Sequence, residues 1–131
     1  MVLIMNSGII DWTLVITPQD KYEQLLQDKM EQLADDRWRA EIKPFYFASK
    51  DAYFDVERSQ LKYIRALDKG ITTMWKTIDG SWVQMSTQDF EDLISSYESY
   101  VEILFATEAY YQQQLLAAQT LDALEQVTWV F

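Results

Sequence analysis

Residues 86–118, STQDFEDLISSYESYVEILFATEAYYQQQLLAA, decide the fold. Ser86 followed three residues later by Asp89 is the start signature of a helix: each side chain reaches the other's backbone N–H. The helix is expected to reach about Ala118. That is roughly 30 residues, on the order of 45 Å at the α-helical rise. Within it Phe90, Ile94, Tyr97, Val101, Leu104, Glu108, Tyr111 and Leu115 alternate in steps of four and three, a heptad seam with one charge in it at Glu108. Leu93, Tyr100, Ile103 and Tyr110 form a second apolar stripe on a neighbouring face. One stripe packs on the domain's own elements. The second has two readings, a wider core or contact with another chain, and the sequence leaves both open.

Just upstream, residues 73–85, TMWKTIDGSWVQM, place Asp79-Gly80 between two β-type runs, the strongest short hairpin signal. A two-residue loop there predicts Thr77 opposite Trp82, with Trp75 on the same face as Trp82, on the diagonal. Before that, Asp55 caps a helix running through Leu61, Ile64 and Leu67, and Gly70 stands where a helix-ending glycine is expected. Residues 45–54 hold Phe45, Phe47, Tyr53 and Phe54 around Ser49, Lys50 and Asp51, which reads as a strand or hairpin. Thr17, Pro18 and Asp20 start an earlier helix, with apolar positions at Tyr22, Leu26, Met30 and Leu33 and with Trp38 and Ile42 beyond. Pro44 ends it. Residues 11–16, DWTLVI, read as a short strand. Downstream, Thr120 caps a last turn over 121–126, and the chain closes on the apolar tail 127–131, VTWVF. The fold class is therefore α+β: small β-hairpins or a small sheet packed with a long C-terminal helix and one or two further helices. At 131 residues it is expected to be one domain, 1–131, with an N-terminal strand and helix over 1–43 and the remainder over 44–131.

Composition narrows the function. Eleven Lys and Arg against 21 Asp and Glu give a net charge of −10, which disfavours nucleic acid and anionic membrane surfaces as partners. The apolar start Met1–Met5 is short and has no basic residue ahead of it, so no signal peptide is expected. No run approaches the roughly 20 apolar residues that span a bilayer. The aromatic share of 15% is enough to fill a core and leave aromatics over for interfaces.

Chemistry is harder to find. The chain has no Cys and no His, which removes thiolate chemistry, Cys-type zinc sites, the commonest general base and the commonest metal ligand. Its three glycines are scattered, so no phosphate-cradling loop can be assembled from them. The densest acidic group, Asp35 and Asp36 ahead of Arg37 and Arg39, points its carboxylates about 100° apart on a helix and reads as a solvated face. No carboxylate pair stands out for glycoside cleavage. The expectation is a protein with no catalytic residues, cofactor or metal.

From Arg37 to Trp129 the chain resembles an uncharacterised domain family found in phage tail-fibre and tail-fibre-assembly proteins. The resemblance is carried by Glu57, Arg58, Ser59 and Gln60 opening a helix, and by the hairpin Trp75, Lys76, Asp79, Gly80 and Val83. It continues through Phe105 and Glu108 ahead of Ala117 and Ala118, then Thr120, Leu124 and Trp129. It implies a tail-fibre- or baseplate-associated structural component, or a fibre-assembly chaperone, acting by protein–protein binding. The implied location is the virion tail, or the host cytoplasm during assembly. The family offers no catalytic residues to carry over. About 40 residues precede the matching region and no repetitive β-rich shaft is present, so a small separate partner of a fibre is expected. The partner surface is expected at Ile9, Ile10 and Trp12, at Tyr100, Ile103 and Tyr110, and at Trp129, Val130 and Phe131, with burial in the chain's own core as the competing reading for each. Self-association through the long helix is a further expectation. The alternative function is a carbohydrate-binding module at a fibre tip, with Trp75 and Trp82 stacking on sugar rings.

Overall fold

A computed structural model of the chain describes residues 2–5, 8–11, 17–70 and 72–131, with side chains from Thr17 onward. In chain order the elements are β1 (Val2–Met5), β2 (Gly8–Asp11), α1 (Pro18–Ile42), β3 (Phe45–Phe47), β4 (Ala52–Phe54), α2 (Val56–Lys69), β5 (Thr73–Lys76), β6 (Trp82–Met85), α3 (Thr87–Ala117) and α4 (Leu121–Gln126). Each strand pairs antiparallel with its sequence neighbour, giving three two-stranded hairpins. The architecture is α+β, organised around the long helix α3. The strand expected over 11–16 lies, apart from Asp11 at the end of β2, outside the described residues.

Local chemistry sets the helix boundaries. Thr17 and Asp20 form a reciprocal capping box at the start of α1, and Ser86 and Asp89 form another at the start of α3. The Ser86 N–H, the largest cause, holds the Asp89 carboxyl below its ordinary range, and Lys50 at 3.1 Å adds to this. That ion pair ties the β3–β4 loop to the first turn of α3. Pro44 follows the last turn of α1. Gly70, at φ +63°, closes α2 in the left-handed conformation that side chains resist.

Two cores lie along α3. The first holds Phe47 and Phe54 from the β3–β4 hairpin, Val56 and Tyr63 from α2, Met85 from β6, and Phe90, Leu93 and Tyr97 from α3. The second joins Leu33 of α1, Leu115 and Ala118 at the end of α3 and Leu124 of α4, with Tyr22, Leu26, Met30, Tyr111, Trp129 and Phe131 packed around them. Helix α1 runs antiparallel to α3. Tyr22 donates to the Ala118 carbonyl at one end. Tyr100 and Tyr97 donate to the Ala40 and Glu41 carbonyls, at 3.1 and 2.9 Å, at the other.

The third hairpin corrects a sequence expectation. The Thr77 N–H donates to the Ser81 carbonyl at 2.9 Å and the Gly80 N–H to the Thr77 carbonyl at 3.1 Å. The loop is therefore the three residues Ile78, Asp79 and Gly80, a turn closed by Gly80 at φ +87°. Trp75 pairs with Val83, and Trp82 with Lys76. A one-residue change of register moves a side chain to the opposite face, so Trp75 and Trp82 do not share one. Trp75 packs on Tyr63 and Phe90, at ring separations of 5.0 and 5.1 Å, while Trp82 is 61% exposed. The physical cause lies in the loop: the Asp79 carboxylate accepts from the Thr77 hydroxyl at 2.6 Å and from the Ser81 N–H at 2.9 Å, tying both ends together.

Candidate interaction surfaces

The charge inside the α3 seam has a partner. Glu108 accepts from Arg37 of α1 at 2.7 Å, and Arg37 also donates to Glu41 one turn further along α1. The guanidinium lies 4.4 Å from the Phe105 ring centroid, a cation–π arrangement. Helix periodicity explains why the arginine faces inward. From Leu33 the inner face of α1 continues at Arg37, Ala40 and Glu41, whereas Trp38 falls five residues on and points away. Accordingly Trp38 and Ile42 are exposed, and they line a hollow with Asp55, Glu57 and Arg58. Arg37, Phe105 and Glu108, far apart in sequence, are thus one contact pinning α1 to α3.

The expected partner residues divide. Ile9 and Ile10 lie in β2, opposite Ile4 and Leu3. Trp12 lies outside the described residues. Tyr100 is half-buried, with its hydroxyl on the Ala40 carbonyl, and burial pushes that phenol above its ordinary pKa. Trp129 packs on Tyr111 and donates its indole N–H to Asp36 at 2.9 Å, with the Lys29 ammonium 5.7 Å from the ring centre. Phe131 packs on the second core. These three residues give most of their surface to the chain's own interior. Ile103, Tyr110 and Val130, at 64%, 55% and 85% exposure, face outward.

Other faces outside the expected partner residues also point outward. Tyr46 and Tyr53 pair across β3–β4 on the side away from the first core, both exposed, with ring centres 5.2 Å apart. Together with Pro44, Asp51, Ile78 and Asp79 they line a depression of about 520 Å³. The Ile78 N–H donates to the Tyr53 carbonyl at 3.0 Å, which joins this hairpin to the loop of the next. On the outer side of β5–β6, Met74 and Trp82 are exposed, as are Leu61 and Ile64 on α2. Strand alternation around Phe45, Phe47 and Phe54 was the signal for the tyrosine pair. For α2 the sequence stripe Leu61-Ile64-Leu67 named the flank, whereas Val56, Tyr63 and Ala66 face inward.

Between α2 and α3 a groove is lined by Glu41, Glu57, Glu98 and Glu102 with Gln60, Tyr97 and Val101. The Tyr97 hydroxyl lies 3.1 Å from Glu57, and burial together with that carboxylate raises the phenol's pKa strongly. Among the described residues no three His, Cys, Asp or Glu side chains converge as metal ligands, and no helix is long and apolar enough to cross a membrane.

Element order and packing thus define an α+β protein in which one long helix carries small hairpins at one end and a helical pair at the other. The chain belongs to the family described as a domain of unknown function, DUF4376, whose profile matches residues 24–128. That span runs from the first turns of α1 into the tail and contains the Arg37–Glu108 contact. Neither the curated proteins nor the solved structures yield a match.

Proposed function

We propose that this protein is a non-catalytic binding protein of the bacteriophage tail, either a tail-fibre or baseplate component or a fibre-assembly chaperone. The observation that carries the binding half is the outer surface of the two linked hairpins. Tyr46, Tyr53 and Ile78 stand exposed around one depression, and Met74 and Trp82 stand exposed on the outer face of β5–β6, on a chain of net charge −10, although both cores are filled by other residues. Grouped exposed apolar side chains mark contact surfaces, whereas scattered single ones carry no such meaning. The phage half rests on the resemblance at residues 57–60, 75–83, 105 and 108. It supports a location in the virion tail, or in the host cytoplasm during assembly. Co-expression with the fibre or baseplate protein encoded beside it, followed by size exclusion with light scattering, is the test. A stable complex that Trp82→Ala or Tyr53→Ala weakens supports the reading. Two species that elute apart overturn it. Recovery in purified virions then separates a component from a chaperone.

A second reading, sugar binding, is favoured by one observation. The Tyr46–Tyr53 pair offers two aromatic faces beside the Asp51 and Asp79 carboxylates, in a depression whose volume of about 520 Å³ lies in the usual range of ligand sites. It replaces the Trp75–Trp82 pair, which occupies opposite faces. Calorimetric titration with host-surface oligosaccharides tests it: heat that disappears in Tyr53→Ala supports it, and no heat with the unaltered chain ends it.

A further inference from the structure

Helix α2 runs against the charge of the rest of the chain. It carries four of the 11 Lys and Arg and only two of the 21 Asp and Glu, so that outside it seven basic residues face 19 acids. Arg58, Lys62, Arg65 and Lys69 follow in steps of four, three and four, which sets them within about 60° of one another around the helix axis. All four are exposed. Among the described residues only Arg58 of the four reaches a carboxylate, Asp55 at 3.5 Å, and its own side chain is 88% exposed. Beside this basic ridge, on the same outer face, stand Leu61 and Ile64, 71% and 42% exposed. The helix's two acids, Glu57 and Asp68, fall on the side of Leu61 and Ile64 and leave the ridge unbroken. Glu57 and Arg58, one turn before Leu61, line the hollow that holds the exposed Trp38 and Ile42 of α1. The face thus joins four cations to a row of apolar side chains.

We propose that this face docks an acidic, amphipathic segment of another protein, with its carboxylates on the basic ridge and its aliphatic side chains on Leu61, Ile64 and the Trp38–Ile42 hollow. Charge complementarity selects the occupant. Four like charges crowded along one helix repel one another, and carboxylates at contact distance relieve that repulsion. The reach of the ridge is short, about 8 Å at physiological salt, so a segment laid along α2 meets the ridge rather than the acidic remainder of the chain. A nucleic-acid duplex or an anionic membrane extends further, over that acidic remainder, and a phosphate backbone gives Leu61 and Ile64 no aliphatic partner. The apolar row sets the second requirement: the occupant carries aliphatic side chains beside its acids, in the way an amphipathic helix presents them. This docking is separate from whatever the hairpin surface binds and from the phage assignment.

Fluorescence anisotropy on the full chain tests it. The probe is a labelled synthetic peptide of about 14 residues, the length of α2, with Glu and Leu on adjacent faces at three- and four-residue spacing. The peptide is expected to bind, and to release as salt is raised. Its counterparts with Gln for every Glu, or Ser for every Leu, are expected to bind at least about ten-fold more weakly. Lys62→Glu with Arg65→Glu should lose the same factor, as should Leu61→Ser, with helicity unchanged because all three residues face outward. Lys21→Glu with Lys76→Glu, an equal change of charge at exposed residues elsewhere, should cost far less. No binding of the acidic peptide, equal binding of either counterpart, indifference to the α2 variants, or an equal loss in Trp82→Ala or in the Lys21 and Lys76 variant would overturn the proposal. So would tighter binding of a single-stranded oligonucleotide or of phosphatidylglycerol vesicles at the same residues, or a dimer of the chain alone that the Lys62 and Arg65 variant abolishes.

Discussion

The two halves of α3 follow one heptad rule and bury different amounts of the helix. The N-terminal half is walled by α2 and by the β3–β4 and β5–β6 hairpins, so Phe90, Leu93 and Tyr97 are buried and Ile94, Tyr100 and Val101 partly so. Among the described residues the C-terminal half meets α1, α4 and the tail. Leu104 and Leu115 are buried there, while Ile103 and Tyr110, which the sequence pattern groups with Leu93 and Tyr100, turn further round the helix and are exposed. Periodicity therefore sets the direction of the buried face, and the number of neighbours sets its width. The two cores differ in material too. The first is built of aromatic rings in edge and tilted contact, Tyr63, Trp75 and Phe90 among them, at separations of 5.0–5.8 Å. The second is built of leucines closed over by Trp129.

The strongest way to break this comparison is to empty each core in turn. Phe90→Ala removes a fully buried ring from contact with two others, and Leu115→Ala removes a fully buried leucine. Large-to-small changes of these kinds cost about 3–5 and about 2–5 kcal/mol respectively. Because one uninterrupted helix crosses both cores, urea unfolding of each variant is expected to remain a single transition with an unaltered denaturant slope. A biphasic curve in either variant would instead make the halves separate folding units.

A smaller loss is expected at the join. Arg37→Ala leaves Glu41 and Glu108 facing each other without a counter-ion, at side-chain exposures of 12% and 22%. Removing one partner of a buried ion pair costs about 3–5 kcal/mol, and this partial exposure places the expected loss near the lower bound. Replacing Arg37 with Leu together with Glu108→Leu should recover part of it, since the apolar pair carries no desolvation penalty and only Glu41 is left without a counter-ion. Chemical denaturation of the single and double variants measures both. A double variant weaker than the single would mean that the charges themselves hold α1 on α3.

Most of the frame was legible in the residues. Thr17, Pro18 and Asp20, then Asp55 and Gly70, then Ser86 and Asp89 mark helix ends by chemistry that acts within a few residues. Trp38, Leu61 and Ile64, named only as apolar positions of their helices, face outward, because short apolar runs fit more than one helical phase and tertiary contact decides between them. The inward-facing Arg37 was hidden for a different reason: its partners Phe105 and Glu108 lie some 70 positions away, and nothing local announces them. Of the candidate surface, Ile103, Tyr110 and Val130 face outward. Trp129 was ambiguous because an indole at a chain end packs as readily inward, where Asp36 waits for its N–H.

The hairpin register turned on a single residue, and the loop that set it offers the smallest effects and the sharpest test. Gly80→Ala forces a side chain into a left-handed conformation and should cost about 1–2 kcal/mol. Crowding adds nothing, since the nearest atom to the new Cβ would be the Lys76 Cε at 3.8 Å. Asp79 acts through pH. The Thr77 hydroxyl first, and then the Ser81 N–H, lower its pKa from 3.8 to about 2. A carboxyl depressed in the folded state contributes stability that is complete above its unfolded pKa and is lost as pH falls through the folded one. The loop contribution should therefore fade between pH 3.8 and about 2. The capping carboxyls Asp20 and Asp89 are lowered as well, so the whole protein weakens in acid. The difference between the acid-unfolding curves of the unaltered chain and Asp79→Asn isolates the loop. If the two curves run parallel through that window, Asp79 does not fasten the turn, and the register that separates Trp75 from Trp82 must be held by the packing of Trp75 on Tyr63 and Phe90 alone.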